Sequence, residues 1–205
     1  RASEPPTDTG VRADDRRTPG ECTARATQLD CDTGRSHASI LGSYGSARSL
    51  RLVKVLAECL GNICRSPAAE AAIVKAASDA GVDIEVESAG TGAYHVGEPP
   101  DERMRHAGNM AGLRISGRAR QFDPADFDRF DLIVVMDRAN LRDVLAVAPD
   151  DDTARRVLLF RSFDPDAHPD DLDVPDPYYG GADGFGLVID MVRRAAVGLV
   201  AEMRQ

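Results

Sequence analysis

The run Cys59-Leu60-Gly61-Asn62-Ile63-Cys64-Arg65-Ser66-Pro67 holds the residue types needed to bind an oxyanion and attack it. Gly61 and Asn62 tolerate left-handed backbone conformations. Such turns aim successive N–H groups at one point and make a nest for an anion. Ser66 is a capping residue and Pro67 suits the first helical position, so a helix is expected to start there. Its free N–H groups and dipole would strengthen the nest. Arg65 brings a planar fork that fits two oxygens of a phosphate. The same field would lower the pKa of Cys59, and a thiolate beneath a bound phosphate is placed for in-line attack. A Cys and an Arg at this spacing are common by themselves. The pair becomes specific when a strand precedes it and a helix follows.

The flanking sequence supplies both. Residues 52–57 form a short Val-rich apolar run, read as a strand that ends at Cys59. A helix is expected from Ser66 to about Ala80, stopped by Gly81. Further strands are expected at 84–87, 132–136 and 157–160. The run Leu132-Ile133-Val134-Val135-Met136 is continuous and apolar, as a strand covered on both faces would be. Helices are expected near 101–111, 123–129, 137–147 and 183–203. The last carries Phe185, Val188, Ile189, Val192, Ala196 and Leu199 on one face. Strands alternating with helices predict an α/β domain: a small doubly wound, four-stranded parallel sheet with helices on both faces. Ligands of such folds sit at the carboxyl ends of the strands, where Cys59 lies.

The chain has 205 residues, room for one ordinary domain and a tail. Residues 1–48 are rich in Arg, Asp, Thr, Ser, Gly and Pro, and their apolar residues follow no period. Such a stretch buries too little surface to offset its ordering entropy, and it is read as a disordered or non-native extension to a domain at 49–205. A net charge of −9 argues against general nucleic-acid binding, which needs a basic face. The four cysteines are too few for a disulfide scaffold, and Cys22 and Cys31 read as loose thiols of the tail. This usage suits a reducing cytoplasm. No apolar run has the length of a membrane span. The chain starts with Arg, which leaves an upstream secretion signal open.

With these residues in view, the loop resembles that of the low-molecular-weight protein-tyrosine phosphatases, whose signature is Cys-x5-Arg-Ser/Thr. The likeness continues through Ser88-Ala89-Gly90-Thr91, Val96-Gly97-Glu98-Pro99-Pro100-Asp101, Ala119-Arg120-Gln121-Phe122, Met136-Asp137 and Asp176-Pro177-Tyr178-Tyr179-Gly180. It spans roughly residues 51–204. The resemblance implies hydrolysis of aryl phosphates through a phosphocysteine on Cys59. Arg65 and the amides of Leu60, Gly61, Asn62, Ile63 and Cys64 would hold the phosphoryl oxygens. Asp176 would protonate the leaving phenolate and then activate water. Ser66 would hydrogen-bond the sulfur, and Asn62, supported by Ser88, would hold the strained turn. Tyr94, Tyr178 and Tyr179 would line the substrate crevice. Cys64 would trap an oxidised Cys59 as a disulfide. No metal or cofactor is implied. The partner would be a phosphotyrosine protein or a small aryl phosphate, with no nucleic acid or membrane, and the protein would be a monomer or weak dimer.

Only the resemblance selects Asp176 from the neighbouring acids Asp164, Asp166, Asp170, Asp171 and Asp173. His95 and His106 read as structural or solvated. Two positions depart from the family pattern. Glu58 stands where an apolar residue is usual. Its side chain should point away from Cys59, but its charge would oppose a thiolate. Gly117 stands where a His commonly braces the loop. Both lead to an expectation of reduced turnover. Two competing readings are a thiol-coupled arsenate reductase, which would need further cysteines after Cys64, and a phosphotyrosine-binding module without turnover.

Overall fold

In the computed structural model, residues 52–204 are described. The expected extension at 1–48, with Cys22 and Cys31, lies outside them. Four parallel strands, β1 (Val53–Cys59), β2 (Ile84–Gly90), β3 (Leu132–Val135) and β4 (Val157–Leu159), form one sheet in the order β2-β1-β3-β4. The helices are α1 (Arg65–Ala80), α2 (Glu102–Met110), α3 (Asp126–Arg129), α4 (Arg138–Leu145), α5 (Asp151–Ala154) and α6 (Ala182–Met203). This is the doubly wound arrangement that the alternation of elements implies.

The period-two pattern of β1 sorts its side chains between two cores. Val55, Ala57 and Cys59 face α1 and α6, where Phe185, Val188, Ile189, Val192 and Leu199 close the larger core. Leu56 faces the other way, with Phe127, Phe130, Ile133, Val135 and Val144. Each large side chain fully buried here contributes roughly 1.5–3 kcal/mol. All four residues of β3 are buried, which explains their continuous apolar character. The strand order places the topological switch between β1 and β3. Cys59 ends the first of these strands, and Asp137 follows the second.

Some boundaries differ from those expected. α1 begins at Arg65, with Cys64 in the cap position and no side-chain cap. Ser66 lies inside the first turn because its hydroxyl is engaged by the loop. Gly81 ends α1 at φ 67°, as its residue type suggests. α5 lies between the helix expected at 137–147 and the strand expected at 157–160. The Asp150 carboxylate accepts the Thr153 N–H at 2.7 Å and turns an acidic loop into a helical turn. A 3-10 turn, Phe160–Phe163, follows β4 and leads toward Asp176.

That turn packs on α6 at Gly198, where a Cβ would lie 1.8 Å from the Phe163 carbonyl oxygen. Alanine is the better helix former by roughly 1 kcal/mol, but overpacking costs about 1–3 kcal/mol and the obstacle here is backbone. Gly198→Ala is therefore expected to destabilise the protein by about 1–2 kcal/mol net in urea denaturation. A neutral or stabilising effect would contradict this packing.

Candidate active site

The loop after β1 wraps its polar groups around the Cys59 sulfur. The Asn62 N–H donates to Sγ at 3.3 Å, and the Ser66 hydroxyl lies 3.1 Å away. Ser66 also donates to the Ala89 carbonyl at 3.1 Å and accepts from the Asn62 amide at 2.9 Å. A hydroxyl has one hydrogen, so these contacts form a switch. When Cys59 is a thiol, S–H donates to Ser66 and Ser66 donates to Ala89. When Cys59 is a thiolate, the hydroxyl turns to the sulfur.

Asn62 is the residue of this loop in the left-handed region, at φ 53°. Gly61 does not share that conformation. Its value is space, because a Cβ there would meet the His95 ring at 3.1 Å. Gly90 answers a similar need. A Cβ there would fall 2.8 Å from the Leu60 carbonyl oxygen, so only glycine lets β2 approach the loop so closely.

The expected support of Asn62 by Ser88 is not what holds the turn. The Ser88 hydroxyl donates to Glu70 at 2.6 Å. The side-chain Oδ1 of Asn62 instead accepts the Arg120 backbone N–H at 2.9 Å. Gly117 has φ +103°, a conformation that favours glycine, and open space where a side chain would stand. A cavity of about 190 Å³ lies there, lined by residues including Asn62, Glu70, Ser88 and Arg120. The loop thus has a backbone brace in place of a side-chain one.

Arg65 is buried, 3% exposed, and gathers three pieces of chain. One terminal nitrogen donates to Asp137 at 2.5 Å and to the Val174 carbonyl at 3.2 Å. The other donates to Asp176 at 2.9 Å. The other oxygen of Asp137 caps α4 through the Asn140 N–H. One carboxylate therefore fixes both a helix and the guanidinium. Asp176 is half-exposed at the mouth and accepts the Tyr178 N–H at 3.1 Å. Asp176, Cys59 and Arg65 line one cavity of about 410 Å³ with Leu60, Gly61, Ile63, Cys64, Tyr94, His95, Tyr178 and Tyr179. Ser88 lies behind the loop rather than in this cavity.

Read from sequence, His95 is set aside as structural or solvated and Asp137 has no role. A His between two aromatic-loop residues carries no signal beyond its type. In the structure its ring lines the cavity, 6.1 Å from the Tyr178 ring, and Nδ1 lies 2.8 Å from Glu98. Asp137 could have been found as a capping residue directly after a buried strand.

Burial dominates the ionisation of this site. It pushes the Cys59 thiol up, against the pull of Arg65 and the Ser66 hydrogen bond, so the lowering expected from the loop's residues is not the net direction. Cys64 is pushed up to about 12, again by burial first, and is a neutral thiol. Glu58 points away from Cys59, as its period requires, and is fully buried. Burial holds it well above the usual carboxylate range, while the Thr91 N–H, donating at 2.8 Å, pulls it down. Its second oxygen has no partner. Its charge also raises Cys59, as expected from the sequence, though less than burial does.

Comparison with known proteins agrees with this geometry. Residues 54–205 match the family model of low molecular weight phosphotyrosine protein phosphatases. A low molecular weight protein-tyrosine-phosphatase of Streptomyces coelicolor is 46% identical over 149 residues, 72% of this chain and 91% of that protein. The human low molecular weight phosphotyrosine protein phosphatase is 40% identical over 137 residues, 65% of this chain and 85% of that protein. A crystal structure of a protein tyrosine phosphatase from Entamoeba histolytica superposes with a TM-score of 0.71 at 36% identity, covering 74% of this chain and 97% of that one. The chain belongs to the low molecular weight phosphotyrosine protein phosphatase family, a family of cysteine-based phosphate-monoester hydrolases.

The raised Glu58 gives a stability prediction with a definite sign. The folded protein keeps a proton on Glu58 that the unfolded chain releases near pH ~4.3. The wild type therefore loses stability as pH rises above that value, and Glu58→Gln does not. The two are expected to melt alike near pH ~4, with the variant a few degrees more stable at pH ~7. A difference independent of pH would show that Glu58 is not held protonated.

Proposed function

We propose that Cys59 is the nucleophile, Arg65 the phosphoryl clamp and Asp176 the acid and base of an aryl phosphate hydrolase acting on phosphotyrosine. The observation that carries this reading is the meeting of the three in one cavity. Sγ lines that cavity and accepts the Asn62 N–H, and Arg65 ties Asp176 to the same spot.

The proton count closes. On substrate binding the Cys59 thiol gives up its proton and Ser66 turns to the thiolate, while one proton comes to rest on Asp176. The phosphoryl group takes over the Arg65 fork, which frees the Asp176 carboxyl to face the leaving oxygen. Sulfur attacks phosphorus, the P–O bond to the aryl group breaks, and Asp176 hands its proton to the leaving oxygen. The products of this half are phenol and phosphocysteine. Asp176 then takes a proton from water as that oxygen attacks phosphorus. The P–S bond breaks to give inorganic phosphate and the thiolate, and as phosphate leaves the proton on Asp176 returns to the sulfur and restores the thiol. Amides of Leu60, Gly61, Asn62, Ile63 and Cys64, with Arg65, match the spread of charge over the equatorial oxygens.

Depth favours aryl over alkyl esters. Cys59 is only 3% exposed, so a phosphate must arrive on a long, flat stem. Tyr94, Tyr178 and Tyr179 wall the approach, and Tyr94 and Tyr179 are largely exposed at its rim. A phosphotyrosine on a protein, or a small aryl phosphate, satisfies this shape. A buried free thiol suits a reducing compartment such as the cytoplasm. The expectation of slow turnover rests on the missing side-chain brace at Gly117 and on the Cys59 thiol, raised by burial and by Glu58.

The test is hydrolysis of phenyl phosphate and a phosphotyrosine peptide. Cys59→Ser is expected to abolish turnover. Asp176→Asn should lower kcat about 10²–10⁴-fold, the usual worth of a positioned acid. Turnover that survives Cys59→Ser would refute the mechanism. Tight phosphotyrosine binding with no turnover by the wild type would identify a binding module instead.

A further inference from the structure

We propose that Arg103 is a positioning residue that holds Asp176 and the Tyr178 wall in register with the phosphate loop. The proposal rests on the reading of Asp176 as the acid. Arg103 lies in the first turn of α2, where the helix dipole disfavours a cation, so its placement needs another cause. Its guanidinium supplies one. Nε donates to one oxygen of Asp101 at 3.1 Å, and a terminal nitrogen donates to the other at 2.8 Å. The remaining nitrogen donates to the Tyr178 carbonyl at 3.2 Å. The same group lies over two rings, 5.4 Å from the centre of Tyr178 and 4.7 Å from that of Phe185 in α6.

Asp101 is tied to the nucleophile's loop. Its N–H donates to the Ile63 carbonyl at 2.8 Å, and its carboxylate accepts the Arg103 N–H at 2.8 Å. Hydrogen bonds from Arg103 hold that carboxylate below its usual range, so the ion pair persists through neutral pH. On the far side, the Tyr178 N–H donates to Asp176. A continuous path therefore runs from Ile63 through Asp101, Arg103 and Tyr178 to Asp176. It is separate from the direct contact between Arg65 and Asp176.

That separation matters during catalysis. Residues 175–181 carry no helix or strand, and the Val174 N–H, bonded to the Met136 carbonyl at 2.7 Å, anchors the chain just before them. At rest Arg65 also holds Asp176. Once a phosphoryl group occupies Arg65, that tie is lost at the moment the acid must be in place. The Arg103 fork remains. It binds Asp101 and Tyr178, neither of which the phosphate displaces. Lysine cannot reproduce a bidentate grip plus a third bond in one plane.

A positioning role predicts a loss that depends on the leaving group. kcat/KM reports the first chemical step. It is to be measured for phenyl phosphate, whose leaving group needs a proton, and for 2,4-dinitrophenyl phosphate, whose leaving group does not. Arg103→Met is expected to lower the first about 10-fold or more and the second less than about 3-fold, as for a modest misplacement of a catalytic group. Arg103→Lys should fall between Arg103→Met and the wild type. In an Asp176→Asn background Arg103→Met should change either substrate less than about 3-fold, because the residue acts through Asp176. Equal losses on both substrates, losses that persist in the Asp176→Asn background, or no loss at all would overturn the proposal. If Asp176→Asn itself lowers both substrates equally, the acid reading falls and this one with it. Melting curves of each variant separate these outcomes from unfolding.

Discussion

The site depends on one buried cation. Arg65 sits at the start of α1, nearly out of contact with water, and an unpaired charge there would be costly. Asp137, Asp176 and the Val174 carbonyl remove that cost by meeting it from β3's end and from the acid loop. The ion pair thereby joins three segments far apart in sequence. It also leaves the resting site with one positive and two negative charges about the fork. An arriving phosphate exchanges one carboxylate for another anion rather than adding charge to a neutral pocket.

Around this cation, burial pushes the two loop cysteines and the carboxyl just before them toward their neutral forms. Cys59, Cys64 and Glu58 all shift upward for that reason first. The loop's field is thus concentrated in Arg65 and the oriented amides. A thiol at rest and a thiolate in the complex differ by one proton, and the Ser66 hydroxyl can serve either state by rotation. Glu58 fits the same logic. On the face of β1 opposite Cys59, burial favours its protonated form and the Thr91 N–H bonds it, and so it is tolerated in a buried central strand.

The four strands, their parallel order and the position of Cys59 were legible because apolar runs and glycine stops mark buried strands and capped helices directly. Cys59 at a strand end and Arg65 at a helix start followed from local sequence alone. Asp176 did not. It is one of several acids in an irregular loop, and only the family likeness separated it from Asp170 or Asp173. The supports of Asn62 were misjudged because a side-chain partner, Ser88, can be read from sequence, whereas the backbone N–H of Arg120 cannot. The net shift on Cys59 was misjudged for a related reason. Residue types reveal the stabilising dipoles, but the depth of burial that opposes them depends on packing by distant elements. Arg103 left no trace in the sequence because its partners, Asp101, Tyr178 and Phe185, lie on three different elements.

The claim at the centre of this account is that the phosphoryl group passes through the Cys59 sulfur. Phosphorus NMR of the enzyme during turnover of excess aryl phosphate, with Asp176→Asn used to slow hydrolysis of the intermediate, observes that step directly. An S-phosphoryl signal is expected that is retained in Cys64→Ala and absent in Cys59→Ala. A signal that persists without Cys59, or turnover with no covalent phosphoryl species under conditions that slow the second step, would contradict it.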